Sequence, residues 1–223
     1  MKTTMKMSWS IACVLLVGGL AGATPKAAPL PAAPQPTPTA KVGTLAPDFQ
    51  LVDTDGKAHT RAGYVGKIIV LEWFSASCAF SGADTQKSIF ATGRAGSLQK
   101  QLNEIDPTIT YLLIDSTARR NSKEELIAAG QAAKKQWKIE SPILIDFDGA
   151  VGHAYRAQTT PHVFVIDVDG VLRYQGAFDT NKRGGAAEDH TNHVLEAVKK
   201  LKAGESPFPT QTRPWGCSVK FAP

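Results

Sequence analysis

The sequence predicts an α/β fold, a sandwich with helices on both faces of a mixed central sheet and an N-terminal β-hairpin. Two continuous apolar runs, 68–74 and 109–114, have the composition of central strands that are buried on both faces. Helix signals follow each of these runs, and a second hairpin over 161–174 comes before the last helix. Strand–helix alternation that ends in a hairpin and a helix indicates a mixed sheet rather than a parallel one.

The first half of the chain begins with alternating apolar and polar residues that lead into the turn Asp55-Gly56. This pattern predicts a hairpin, because Asp-Gly adopts the tight turns that connect two antiparallel strands. The elements predicted here are the hairpin over 47–57, the strand 68–74, a helical region from about Ala79 that is interrupted near Gly93 and Gly96 and resumes over 98–102, and the strand 109–114.

The second half opens with Ser122-Lys-Glu-Glu125, a capping box in which serine and glutamate side chains bond to the free backbone N–H groups of a helix start. Its elements are a helix from there to about Trp137, the strand 143–145, a short helix over 149–156, the hairpin strands 161–166 and 171–174, and a helix over 190–201 that ends at Gly204.

The first 23 residues have the pattern of a secretory signal peptide. Lys2 and Lys6 supply the positive segment, 11–20 is apolar, and Ala21-Gly22-Ala23 is a small-residue cleavage site. The apolar stretch is short for a membrane span, which favours cleavage over an uncleaved anchor. The prediction is therefore an exported protein, periplasmic or otherwise extracytoplasmic.

The segment 24–41 is rich in proline and alanine. Dense proline excludes helix and sheet and favours extended polyproline geometry. Two interpretations stay open, a semi-rigid spacer near a membrane or partner and a leader without function. The globular domain is then predicted over 42–203, with a C-terminal tail over 204–223.

The cysteine count fits an oxidising compartment. Cleavage after the signal removes Cys13 and leaves two cysteines, Cys78 and Cys217. It also removes two lysines and no acidic residue, so the formal charge falls from +5 to +3. This small excess, without aromatic residues among the basic ones, gives no indication of nucleic-acid binding.

No cofactor and no metal site are predicted. The chain has no glycine-rich phosphate loop, and His190 and His193 have metal-like helical spacing without a further ligand nearby. The three Asp-x-Asp-Gly segments lack the longer acidic loop of a calcium site and are read as turns.

The most informative segment is the end of the apolar run, where Ser-Ala-Ser is followed by Cys78 and a predicted helix start. A sulfur in this position would face the unpaired N–H groups and the positive end of the helix dipole. Both favour the thiolate, which is the reactive form of cysteine. Cys78 is therefore the predicted nucleophile.

Three stretches carry a resemblance to a known family: Ala46-Pro-Asp-Phe-Gln-Leu51, the segment around Cys78, and Thr160-Pro-His-Val-Phe-Val-Ile-Asp-Val-Asp-Gly170. Over about 42–201 the chain resembles the thioredoxin fold, and more narrowly the peroxiredoxin-like alkyl hydroperoxide reductase and thiol-specific antioxidant superfamily. The resemblance implies a thioredoxin-like sandwich.

The resemblance also implies a cis peptide bond at Pro161 beside the catalytic cysteine. The backbone of Thr160 would then pair with an incoming extended chain, as a sheet edge does. Trp73 is assigned both to the core and to the wall of the redox site, and Ser75 is assigned to the substrate-binding residues.

Thiol–disulfide exchange is the first chemistry that the resemblance suggests. Thioredoxins carry C-x-x-C, and here the motif is Cys78-Ala-Phe-Ser81. Cys78 matches the attacking cysteine. Ser81 can donate a hydrogen bond to its thiolate but cannot resolve a mixed disulfide, so a two-thiol cycle needs another sulfur.

Peroxide reduction is the second chemistry. The peroxiredoxin pattern P-x-x-x-[ST]-x-x-C is matched at Ser75, but Leu71 stands at the proline position and Pro161 at that of the peroxide-polarising arginine. Cleavage of the O–O bond needs donors aimed at the developing charge. Arg156 and Arg173 are the candidate substitutes. The departures favour exchange over peroxidase activity.

Cys217 is the remaining candidate partner sulfur. The segment 204–217 can extend about 43 Å at 3.3 Å per residue, long enough to return to Cys78. A Cys78–Cys217 pair is expected, and three roles for Cys217 stay open: a resolving cysteine, a partner in a structural disulfide and a free thiol.

Glu72 matches the buried acid of thioredoxins, which acts as a proton carrier when burial raises its pKa.

The predicted function is thus a thiol–disulfide oxidoreductase acting on protein or low-molecular-weight thiols and disulfides, with an unidentified electron donor. Its rivals are a peroxidase that reduces peroxides at Cys78 and a redox-inert binding module whose two cysteines fix the tail.

Overall fold

The computed structural model describes residues 39–185 and 190–223. The strands are β1 (Gln50–Asp53), β2 (Ala58–Thr60), β3 (Ile69–Trp73), β4 (Thr110–Asp115), β5 (Ile143–Ile145), β6 (Thr159–Thr160), β7 (Val163–Ile166), β8 (Leu172–Gly176) and β9 (Cys217–Ser218). The helices are α1 (Arg94–Ile105), α2 (Lys123–Trp137), α3 (Ala150–Tyr155) and α4 (His193–Lys202), with short 3-10 helices at Arg61–Tyr64 and Ala118–Arg120.

The main sheet has seven strands in the order β2-β1-β5-β4-β3-β7-β8. Strands β3, β4 and β5 run parallel, while β1 and β7 join them antiparallel and begin the two hairpins β1–β2 and β7–β8. Strand β3 lies between β4 and β7, and all five of its residues are buried. The predicted α/β fold with a mixed sheet and an N-terminal hairpin is confirmed.

Two hydrophobic cores lie on opposite faces of this sheet. Residues alternate along β3, so that Val70 belongs to one core and Leu71 and Trp73 belong to the other. The first core receives buried side chains of α1, α2 and α4, and the second receives those of α3. Helices therefore cover both faces, and β3 ends between the two cores.

Helix α2 begins at the predicted capping box. The Ser122 side chain accepts from the backbone N–H of Glu125, whose carboxylate accepts from the backbone N–H of Ser122. Helix α4 begins with a similar cap, since Asn192 accepts from the backbone N–H of Leu195. Local side-chain hydrogen bonds therefore fix both helix starts.

The helix predicted from Ala79 is wrong. Residues 79–93 form consecutive turns and bends, and the first α-helix is α1, which contains the predicted helical stretch 98–102. The hydroxyl of Thr85 donates to the carbonyl of Ala79, and that of Ser88 donates to the carbonyl of Ser81. Side-chain donors thus occupy carbonyls that a regular helix would use, a competition typical of serine and threonine.

The C-terminal tail runs past the end of β3 and contacts both cores. Trp215 packs against the first core, while Val219 and Phe221 pack against the second. The predicted signal peptide (1–23) and the predicted linker (24–41) up to residue 38 lie outside the described residues. In the part of the chain that the structure describes, no helix is long and apolar enough to cross a bilayer.

Candidate functional site

Cys78 lies in the loop that follows β3, four residues after the last buried aromatic side chain of that run, Phe74. Its thiol donates to the carbonyl oxygen of Thr160 over 3.1 Å, and its sulfur accepts from the backbone N–H of Phe80 over 3.4 Å. The sulfur is therefore held between the loop after β3 and the short strand β6. A backbone N–H is aimed at it although no helix begins there.

The loop owes its shape to one carbonyl and one glycine. The carbonyl of Ser75 accepts from the backbone N–H groups of both Cys78 and Gly82, over 3.2 and 3.0 Å. A Cβ at Gly82 would lie 2.8 Å from the Cα of Ala76 and from the carbonyl oxygen of Ser75. Only glycine allows the loop to close this tightly, so Gly82 positions Cys78 without touching its sulfur.

The segment opposite Cys78 contains a cis peptide bond between Thr160 and Pro161. The resemblance implied this geometry. Thr160 is almost fully buried, and its carbonyl oxygen points at the Cys78 sulfur. The two predicted groove residues and the predicted nucleophile are therefore adjacent.

Cys217 lies in the neighbouring strand β9, beside the loop that carries Cys78. It is the pairing partner of Thr160 in the antiparallel ladder β6–β9, and both cysteines are free thiols. Burial raises the pKa of Cys217, and the neighbouring Cys78 thiol raises it further, while the backbone N–H groups of Ala79 and Phe80 lower it. The tail thus brings the second sulfur next to the first, as the length of the tail allowed.

The tail also covers Cys78, which has only 4% of its surface exposed. Trp215, two residues before Cys217, donates its indole N–H to the carbonyl oxygen of Asp179 over 2.7 Å. Its ring lies 6.1 Å from that of Phe80 and 5.8 Å from the guanidinium carbon of Arg94. Access to Cys78 therefore depends on where this tail lies.

Glu72 is fully buried in β3. Its Oε2 accepts a hydrogen bond from the hydroxyl of Tyr111, and its Oε1 has no hydrogen-bond partner. Burial raises the pKa of Glu72 to about 8, the nearby Asp179 also raises it, and the bond from Tyr111 opposes the change. The carboxyl group is therefore protonated at neutral pH.

Ser81 does not stabilise the sulfur as predicted. Its side chain is fully buried, and its hydroxyl has no hydrogen-bond partner. The donor to the Cys78 sulfur is the backbone N–H of Phe80 instead. The prediction assumed a helix start, and the turns that replace the helix orient the Ser81 side chain differently.

The core position predicted for Trp73 is confirmed, but neither Trp73 nor Ser75 lines a substrate groove. The indole of Trp73 is fully buried, donates to Ser116 over 3.0 Å and packs against Tyr155 and Phe164. The hydroxyl of Ser75 lies 3.5 Å from that of Thr117. Neither side chain reaches the surface beside Cys78, because Trp73 is the buried last residue of β3 and Ser75 is buried in the loop that follows it.

The two arginines considered for peroxide binding have other positions. Arg173 bonds to Asp167 over 2.5 Å, and Arg156 is exposed at the end of α3. Over residues 39–185 and 190–223, no arginine hydrogen-bonds to the Cys78 sulfur. These described residues also contain no cluster of three histidine, cysteine or acidic side chains that could hold a metal ion.

Sequence reasoning missed the anchor of the tail. Arg94 is buried and donates to Asp179 over 2.7 Å and to the carbonyl of Lys87 over 3.0 Å. Asp179 in turn accepts from Trp215 through its backbone. A tryptophan two residues before a lone cysteine is the only signal that the sequence offers for this arrangement.

The fold and the two adjacent thiols define a thioredoxin-fold redox protein. The sequence pattern of the AhpC/TSA family matches residues 42–175. The chain therefore belongs to this family, within the peroxiredoxin-like branch of the thioredoxin-fold redoxins. A search of curated proteins finds no match.

Solved structures share this fold. A hypothetical protein from Sinorhizobium meliloti is 27% identical, with a TM-score of 0.66 and coverage of 83% of this chain and 97% of its own. An uncharacterized conserved protein from Geobacillus kaustophilus is 19% identical, with a TM-score of 0.69 and coverage of 86% and 99%. The thioredoxin domain of a thiol-disulfide oxidoreductase from Bacteroides vulgatus is 16% identical, with a TM-score of 0.52 and coverage of 73% and 99%. The last two show the fold alone.

Proposed function

We propose that this protein is an exported thiol–disulfide oxidoreductase in which Cys78 attacks and Cys217 resolves. One observation carries the proposal: both thiols meet at Thr160, since Cys78 donates to its carbonyl and Cys217 pairs with it across the ladder β6–β9. A second thiol beside the first supplies what the Cys-Ala-Phe-Ser81 motif lacks. The substrates would be protein or low-molecular-weight disulfides.

The cycle balances as a two-electron exchange. The Cys78 thiolate attacks one sulfur of a substrate disulfide, the substrate S–S bond breaks, and the other sulfur leaves as a thiolate that takes up a proton. The Cys217 thiolate then attacks the Cys78 sulfur and releases the second substrate thiol. The product is a Cys78–Cys217 disulfide, which a dithiol reductant returns to the starting state.

The backbone N–H of Phe80 donates to the Cys78 sulfur and would hold that sulfur in position during the attack. Glu72 would store a proton for the exchange. Its carboxyl holds a proton at neutral pH, since its pKa is raised to about 8 by burial, and its Oε1 has no competing partner. A store of this kind suits a reaction that releases thiolates.

Export is proposed from the signal-peptide pattern of residues 1–23 and the cysteine pair that remains after cleavage. The functional unit would be the domain over 42–203 together with the tail over 204–223. An extracytoplasmic compartment would allow both the dithiol and the disulfide forms of the pair. Secretion of a fusion between residues 1–41 and a reporter would test this part.

Two serine variants test the exchange chemistry. Cys78→Ser should abolish reduction of oxidised glutathione and of a disulfide-linked peptide. Cys217→Ser should still attack but stop at the mixed disulfide, which mass spectrometry detects as a mass increase of the protein. Ser206→Ala, at an exposed tail position, is the matched control. Unchanged turnover in Cys78→Ser would remove the proposal.

Peroxide reduction is the second candidate, and membership of the AhpC/TSA family favours it. It would oxidise Cys78 to a sulfenic acid that condenses with Cys217 to a disulfide and water. Dilute hydrogen peroxide should then oxidise Cys78 far faster than free cysteine. A rate similar to that of free cysteine would exclude this function. Among the described residues no arginine hydrogen-bonds to the Cys78 sulfur, which favours that outcome.

A further inference from the structure

The C-terminal tail occupies the strand edge beside Cys78. Thr159 pairs with Ser218 and Thr160 with Cys217, and the backbone N–H of Val219 donates to the carbonyl of Gln158 over 3.0 Å. A short antiparallel ladder of this kind is how an extended peptide adds to a sheet edge. The tail therefore lies on the chain as an extended polypeptide ligand would.

The pocket under Trp215 is built for an aromatic ring. The ring of Phe80 meets the indole edge-on at 6.1 Å, and the Arg94 guanidinium carbon lies 5.8 Å from its centre. The carbonyl oxygen of Asp179 accepts the indole N–H over 2.7 Å. Arg94 is itself held by the Asp179 carboxylate, a contact that does not depend on Trp215.

The position between the ring and the cysteine accepts only glycine. Gly216 has φ +135°, and a Cβ built there would lie 2.2 Å from the carbonyl oxygen of Thr160 and 2.8 Å from its carbonyl carbon. The Thr160 carbonyl group also accepts the hydrogen bond from the Cys78 thiol. It therefore cannot shift away from a Cβ without breaking that bond. The site thus selects an aromatic residue, a glycine and a cysteine in sequence.

We propose that Trp215–Ser218 is a built-in copy of the substrate. The protein would act on polypeptides that present, in extended form, an aromatic residue two positions before the reacting cysteine and a glycine one position before it. Tryptophan fits best, because its N–H meets the Asp179 carbonyl. The inference rests on the proposed exchange function and names its substrate class.

In this proposal, thiol–disulfide exchange is accompanied by an exchange of strands at β6. A substrate strand displaces the tail from Thr159–Thr160, and the Cys78 thiolate attacks the sulfur of the docked substrate cysteine. The disulfide of the substrate breaks, and its other sulfur leaves and is protonated. The tail then returns, and Cys217 attacks Cys78 and releases the substrate cysteine as a thiol. A dithiol reductant restores both cysteines.

Peptides with the sequence of the tail test the selection. The probe is the peptide of residues 214–219, Pro-Trp-Gly-Cys-Ser-Val, joined to glutathione through its cysteine. Matched probes carry alanine in place of the tryptophan or of the glycine. The protein is the full chain with Cys217→Ser, and the rate of Cys78–peptide adduct formation is followed by mass spectrometry.

We expect the probe with alanine for tryptophan to react about tenfold more slowly than the parent peptide, the loss typical of a truncated anchor residue. The probe with alanine for glycine should be slowed by a similar factor, because its added Cβ would meet the carbonyl oxygen of Thr160. Oxidised glutathione, which has no such anchor, sets the baseline. A second variant, Phe80→Ala added to Cys217→Ser, should remove most of the difference between the tryptophan and alanine probes. Phe80 is only partly buried, and circular dichroism checks that the fold is kept.

The outcomes separate this inference from the function on which it rests. Equal rates for all peptides, with clear adduct formation, would overturn the substrate class and leave exchange intact. A difference that survives in the Phe80→Ala variant would overturn the assigned pocket. No adduct with any probe, oxidised glutathione included, would overturn the proposed function itself.

Discussion

Replacing Glu72 with glutamine should stabilise the protein at neutral pH. The carboxyl is fully buried, one of its oxygens has no partner, and the other accepts from Tyr111. Glutamine has nearly the same shape, can accept the same hydrogen bond and carries no charge at any pH. The amide N–H of glutamine would have no hydrogen-bond partner, and neither has the O–H of the protonated acid. Both neutral side chains therefore lack the same hydrogen bond.

The size of the effect follows from the two pKa values of Glu72. Its pKa is raised from 4.5 to about 8 in the folded protein, so at pH 7 the folded state keeps a proton that the unfolded state has lost. This difference lowers the free energy of unfolding of the wild type by about 3 kcal/mol at pH 7 relative to pH 4. The glutamine variant does not have this loss.

Urea unfolding from pH 4 to pH 8 measures the prediction. An acid whose pKa is raised in the folded state costs no stability below its unfolded pKa, and it lowers the stability as the pH rises above that value. The variant and the wild type should therefore have the same stability near pH 4. The variant should then exceed the wild type by about 3 kcal/mol at pH 7. The matched control is Glu104→Gln on the exposed face of α1, which should change stability by no more than about 0.5 kcal/mol.

A difference that is constant across this pH range would refute the reasoning, because it would mean that Glu72 does not titrate differently in the two states. The same variant should lower the rate of disulfide exchange if Glu72 stores a proton. Gained stability with unchanged exchange would keep the burial argument and remove the catalytic role.

Three further outcomes are expected. Burial lowers the pKa of His162 to about 4, so His162→Gln should gain about 3 kcal/mol over the wild type between pH 7 and pH 4, and a constant difference in urea unfolding would contradict this. Gly216→Ala should release β9 and speed alkylation of Cys78 by iodoacetamide several-fold, whereas Ser206→Ala should not. Ser122→Ala should cost about 1 kcal/mol in urea unfolding, because α2 loses its N-cap, and no loss would show that the cap is dispensable.

The fold was largely predictable because its signals are local. The apolar run that became β3, the capping box of Ser122 and the Asp-Gly turn each depend on residues that are close in sequence. The helix predicted from Ala79 does not form, because local signals are weak in a polar segment. Serine and threonine hydroxyls there bond to backbone carbonyls, and no hydrophobic pattern decides between a helix and turns.

The sequence by itself determined which atom is the candidate nucleophile, since Cys78 follows a buried strand and Thr160-Pro161 precedes another. Only the tertiary structure decided what surrounds that sulfur. A tail reaching from α4 to Thr160, a ring seated between Phe80 and Arg94, and a carboxyl buried at Glu72 each join residues that are far apart in sequence. Contacts of that kind depend on how two cores pack against one sheet, and no short stretch of sequence records them.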